Sequence, residues 1–210
     1  MSDTPKPSPK AVGGGLVALI GTAAAAMLFV LVPEEESSRK VEAKVTTDGK
    51  IQVRHISGKQ YLNAYLDIAG VPTACDGIVR GVRLGDRYTE AECAAKLEKE
   101  LVIHAKGMLA CTPGFNPKAH PFQTVSLVSF TYNLGVGAYC GSTARRYVVA
   151  GNFLKACDWL LPWNKARVRG VLRPVAGLTK RRNRERQYCL TGIKPGYTPD
   201  NLNERLAPWK

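Results

Sequence analysis

The chain carries no cysteine before Cys75, no two cysteines spaced C-x-x-C, and only three histidines in 210 residues. The missing C-x-x-C spacing excludes a zinc ribbon or a thioredoxin-like redox centre. The cysteine-free N-terminal part excludes a disulfide switch between that part and the rest. No segment repeats at a fixed period, which excludes a solenoid or a propeller. Residues 11–32 lack charge altogether. Between Lys165 and Arg186 nine Lys and Arg stand against one acid, yet no aromatic platform or DNA-reading motif is interleaved with them. A nucleic-acid partner is therefore not expected. Solvated helix faces, or contact with an anionic wall or membrane, account for the run more simply.

What is present suits one ordinary domain with extra segments. A hydrophobic fraction of 45% is enough to bury a core. The formal charge of +13 and pI of about 9.6 attract polyanions, whether nucleic acid, acidic lipid headgroups or a bacterial wall. The six cysteines, Cys75, Cys93, Cys111, Cys140, Cys157 and Cys189, are even in number. They are read as up to three disulfides, which places the domain in an oxidising compartment.

The uncharged stretch 11–32 is long enough to cross a bilayer as a helix. Lys6 and Lys10 precede it and Glu34, Glu35 and Glu36 follow it, so residues 1–10 are expected in the cytoplasm and the remainder outside. Ten of its 22 residues are Ala or Gly, a weak hydrophobicity for a permanent anchor. Three readings stand: a releasable anchor, a permanent one, or a cleaved signal peptide with a site near Ala23–Ala26.

Residues 33–54 read as a linker or a β-hairpin. Val41, Ala43, Val45, Ile51 and Val53 alternate with polar residues around Asp48-Gly49. Tyr61, Leu62, Tyr65 and Leu66 have helical spacing, which predicts a short helix over 59–66. Residues 67–85 should form a small sheet. Thr89-Glu90-Ala91-Glu92 is a capping box opening a helix to about Lys106. Further helices are expected over 122–133, after Ser142, after Asn152 and from Thr179 to about Leu190. Residues 162–177 read as irregular, and 193–210 as a loose tail. A small β element followed by a mostly helical lobe is an α+β pattern.

Five motifs occur in order: Ala64-Tyr65-Leu66-Asp67 through Thr73 to Cys75-Asp76-Gly77; Tyr88 to Cys93; Val128 to Gly135 with Ser142-Thr143; Trp163-Asn164-Lys165; and Gly177 to Arg182 with Glu185-Arg186 and Cys189. Together, over about residues 55–192, they resemble the phage-type lysozymes, glycoside hydrolase family 24. The resemblance implies a lysozyme-like fold, with a substrate cleft between a small sheet and a helical lobe and an N-terminal transmembrane helix ahead of it. It implies hydrolysis of the β-1,4 bond between N-acetylmuramic acid and N-acetylglucosamine in peptidoglycan, as an endolysin lysing a host cell. A second reading keeps the fold without the chemistry, as a peptidoglycan-binding regulator or structural component.

In this family an Asp and a Thr six positions later hold the attacking water, which points to Asp67 and Thr73. The family's general-acid Glu lies nine positions before the Asp, where this chain has Gly58, or Ser57 with one inserted residue. Neither is an acid. His55 is the nearest titratable candidate for proton donor, and Glu42 or Asp48 could swing in from the preceding segment. Within the same frame the disulfides expected are Cys75–Cys93, Cys111–Cys140 and Cys157–Cys189, although six cysteines admit many other pairings. No cofactor or metal is implied. The expected partners are peptidoglycan and, through residues 11–32, the bacterial inner membrane. The expected form is a monomer facing the periplasm, tethered or released.

Overall fold

The computed structural model describes residues 11–67 and 69–194. The expected cytoplasmic segment 1–10 and the tail beyond residue 194 lie outside the described residues. The uncharged stretch folds as two helices, α1 (Gly14–Ile20) and α2 (Thr22–Ser37). Gly21 separates them at φ 85° and ψ 159°, a conformation only glycine adopts without strain. Its N–H closes α1 on the carbonyl of Val17. At ~1.5 Å per residue α2 spans roughly 24 Å, less than the ~30 Å hydrocarbon core of a bilayer. Among the described residues no helix is long and apolar enough to cross a membrane. In this fold the stretch is instead the centre of the protein: Ala24 through Pro33 are all buried. A helix apolar on every side needs cover on every side.

That cover comes from three elements. The first is α4 (Pro121–Leu134), which packs along α2. The second is α1. The third is the antiparallel hairpin of β1 (Lys40–Val45) and β2 (Ile51–Ser57), whose Val41, Ala43, Ile51 and Val53 point inward. The alternation of these residues with polar ones is the physical reason the hairpin has an inner face. Val12 exchanges both backbone hydrogen bonds with Ile51 at 2.7 Å, so the segment before α1 borders the hairpin. Glu98 on α3 (Glu90–Ala110) caps α1 from outside its own chain segment. Its carboxylate accepts from the backbone N–H of Gly13 at 2.7 Å and of Gly15 at 2.9 Å.

A second hairpin follows, β3 (Tyr65–Leu66) with β4 (Pro72–Thr73). The helical lobe adds α5 (Val136–Cys140), α6 (Thr143–Val149), α7 (Phe153–Asp158) and α8 (Ala176–Leu190), the last packed on α4. The capping box at Thr89 forms, and Ser142 and Asn152 cap α6 and α7. Disulfides join Cys75 to Cys93, Cys111 to Cys140 and Cys157 to Cys189.

Three local expectations fail. Residues 59–64 are not helical. The carbonyls of Tyr61 and Leu62 accept from Cys75 and Tyr88, and the N–H of Ala64 donates to Asp86, so the backbone is spent on the neighbouring loop. Residues 162–177 are not irregular: β5 (Lys165–Val168) pairs with β6 (Val171–Pro174). Thr179 does not cap α8. It lies within the helix, bonding back to the carbonyl of Val175 and accepting from Asn164.

Candidate active site

The β3–β4 turn is organised by Asp67. Its Oδ1 accepts from the backbone N–H of Ala69 at 2.8 Å and of Val71 at 2.9 Å. These bonds hold the carboxylate at the turn, with Oδ2 left without a partner among the described residues. Thr73 pairs with Tyr65 across the hairpin and is buried, its hydroxyl donating to the carbonyl of Val71 at 3.0 Å. The two residues singled out by sequence thus lie on one small hairpin, at its turn and on its returning strand.

His55 lies on β2, paired in register with Val41, and its buried Nδ1 has no hydrogen-bond partner among the described residues. Glu42 is tied to Arg54 and Asp48 to Lys50, both within the β1–β2 hairpin. Gly58 ends that hairpin at φ 92°, where a Cβ would come within 2.7 Å of the carbonyl of Ser38. The position therefore serves a close crossing of two backbones. Lys40 pairs with Ser57, so the hairpin closes on itself and the chain re-enters beside Ser38 and Arg39.

The residue that sequence reasoning passed over is Glu36, near the C-terminal end of α2. Its carboxylate lies against Gly77, just beyond β4, where an added Cβ would sit 3.3 Å from Oε2. On the other side Arg181 of α8 donates to Oε1 at 2.6 Å. Arg181 is nearly buried, whereas Glu36 keeps 21% of its side-chain surface open. Burial alone would lower the pKa of Arg181, but Glu36 and Glu185 outweigh it and hold it above its ordinary value. Tyr132 of α4 is pushed far above the usual phenol range, first by burial and then by the charges of Glu36 and Asp76. It stays a neutral phenol, donating to the backbone carbonyl of Asp76 at 3.4 Å.

Acidic residues at a helix C-terminus oppose the helix dipole and need partners. Glu35 finds Arg184, as Glu36 finds Arg181. Arg182 and Arg186 of the same basic run pair with Glu185 and Asp158. Four of the nine basic residues of the run therefore serve internal ion pairing. Glu185 is fully buried between Arg181, Arg182 and Ser129, and desolvation pushes its pKa up against those partners.

Chemically, a partly open carboxylate backed by a buried guanidinium lies against Gly77, four residues beyond the hairpin that carries a second carboxylate. No grouping of acids, histidines or cysteines suited to a metal occurs among the described residues. The signal that would have found Glu36 was the acidic triplet closing the apolar stretch. It was masked because the β1–β2 hairpin separates it from Asp67 in sequence.

The sequence profile of the phage lysozyme family matches residues 57–185, a span that excludes Glu36. The SAR-endolysin of Enterobacteria phage PA-2 is 36% identical over 138 residues, covering 65% of this chain and 79% of that protein. Among solved structures, the endolysin from Escherichia coli O157:H7 phage FAHEc1 superposes with a TM-score of 0.55 at 27% identity, over 84% of this chain and 96% of that one. The active form of the P1 phage endolysin Lyz shares the fold at a TM-score of 0.60 and 20% identity, over 91% of this chain and 99% of that one.

Proposed function

The chain belongs to the phage lysozyme family, and on that premise we propose that Glu36, Asp67 and Thr73 form the site with which it cuts its substrate. It is a peptidoglycan-hydrolysing endolysin, a muramidase acting on the β-1,4 bond between N-acetylmuramic acid and N-acetylglucosamine. In an inverting glycosidase one carboxyl protonates the leaving oxygen while a second, roughly 6.5–9.5 Å away, activates water on the other face. Glu36 takes the first role and Asp67 the second, with the Thr73 hydroxyl helping to hold the water. Arg181 holds Glu36 in place. His55, on the β1–β2 hairpin, is left a structural role. The observation that carries this reading is the partly open Glu36 carboxylate set between Gly77 and Arg181.

The acid rides on the same helix as the apolar stretch, so the site is complete only when that stretch packs into the body. This favours the releasable anchor among the three readings. The folded form described here is the released one, and the tethered form holds residues 11–32 in the inner membrane with the domain on the periplasmic side. The name of the phage PA-2 relative supports it.

Lysis of purified cell walls tests the assignment. Glu36→Gln and Asp67→Ala should each lower the rate by about 10²–10⁴-fold, the usual cost of losing an acid or base. His55→Ala should stay near the parent rate. A Glu36→Gln enzyme that clears walls as fast as the parent would sink the assignment. A parent that binds walls and never clears them would point instead to a binding protein.

A further inference from the structure

Asp76 is buried to 1% exposure and is not needed for the chemistry above, yet its carboxylate accepts three side-chain hydrogen bonds. Arg39 grips it with two prongs, Nε to Oδ1 at 3.0 Å and Nη2 to Oδ2 at 2.7 Å. The hydroxyl of Ser37 lies 2.8 Å from Oδ1 and 2.8 Å from the carbonyl of Pro33, its one proton shared between them. The third nitrogen of Arg39 reaches Glu90 at the start of α3 at 3.3 Å. Tyr132 approaches the backbone carbonyl of Asp76 from α4. The charged and titratable groups facing Asp76 are thus Arg39, Glu90, Tyr132 and, past Gly77, Glu36.

Two features separate this cluster from an ordinary structural ion pair. Ser37 and Arg39 flank the exit of α2 directly after Glu36, so gripping them fixes the end of the helix that carries the acid. Gly77, the next residue after Asp76, is the wall on which the Glu36 carboxylate rests. One residue therefore holds the acid's backbone with its side chain and positions the acid's contact surface with its own main chain. The Cys75–Cys93 disulfide fastens the same segment to α3. Planar two-pronged guanidinium–carboxylate pairing is directional, which a lysine in place of Arg39 cannot reproduce.

We infer that Asp76, through Ser37 and Arg39, is a positioning residue that sets the Glu36 carboxylate against Gly77, just beyond β4. The inference rests on the assignment of Glu36 as the acid. Because Ser37 and Arg39 lie at and just past the end of α2, this clamp forms only with α2 docked in the body.

The test uses the full-length oxidised protein and steady-state kinetics on soluble peptidoglycan fragments, with circular dichroism and melting curves. Asp76→Asn and Arg39→Lys should each remain folded and lower kcat at least tenfold while leaving KM within a factor of two. Arg184→Lys is the control. It weakens the neighbouring ion pair to Glu35 on the same helix end, and should lower the melting temperature without that loss of kcat. Folded Asp76→Asn and Arg39→Lys proteins with parental kcat would overturn the inference. So would loss of fold in both, since the role would then be structural alone. Should Asp76→Asn alone fail to fold, Arg39→Lys decides by the same kcat criterion. Parental activity in Glu36→Gln would instead remove the acid assignment, an outcome separable from either of these.

Discussion

Two helices fill the centre of this protein, and they are buried in opposite ways. α4 brings polar side chains inside and, Ser126 apart, bonds them there. Gln123 donates to the carbonyls of Cys189 and Thr191, Ser129 to Glu185, Thr131 to Leu127, and Thr124 to Pro117. Its partners are particular atoms of this fold, and outside the fold those groups would want water. From Ala23 to Val32, α2 has no polar side chain at all. Its only requirement is apolar surroundings, and a lipid core supplies these as well as α4 and the β1–β2 hairpin do. The difference teaches that a buried helix is committed to one environment by its polar atoms, and that a helix without them remains transferable. Its commitment comes from the flanks, where Glu98 caps α1 and Arg181, Arg184 and Asp76 engage the residues leaving α2.

The comparison is open to direct attack. Phe29 and Phe130 are both fully buried, one on each helix. Alanine at either should cost about 3–5 kcal/mol of folding stability, read as a fall in melting temperature. Only Phe29→Ala should also weaken membrane retention in fractionated cells. Equal retention in both variants would break the contrast. Ala25 is fully enclosed in the core, so Ala25→Leu should overpack the fold by about 1–3 kcal/mol. On the proposed releasable anchor, the same change makes the stretch a better membrane span and should move protein from the soluble periplasmic fraction to the membrane. An unchanged distribution would show that hydrophobicity is not what limits release. The smallest effect is expected from Glu98→Ala, which uncaps α1 and should cost on the order of 1 kcal/mol with little change in kcat.

Much of the helical lobe was legible because its signals are local. The Thr89–Glu92 box, Ser142 and Asn152 each bond to backbone three residues on, and nothing distant contradicts them. The hairpin carrying Asp67 and Thr73 was legible for a similar reason, since acid, turn and Thr lie within one short stretch. The helix expected over 59–66 failed because its apolar spacing competed with backbone bonding to residues 75–88, which no local pattern reveals. Glu36 was illegible because the β1–β2 hairpin lies between it and Asp67. Sequence spacing measures contour length, and a closed hairpin adds residues without adding distance.

The family, the α+β order, the Asp67–Thr73 pair and an apolar stretch with an acidic end were all present in the sequence, because each depends on neighbours along the chain. Which carboxylate lies against Gly77, just beyond that hairpin, and that the apolar stretch can be core, were decided only in three dimensions. Both depend on helix α2 meeting α4, α8 and a hairpin folded over it, contacts between residues far apart in the chain.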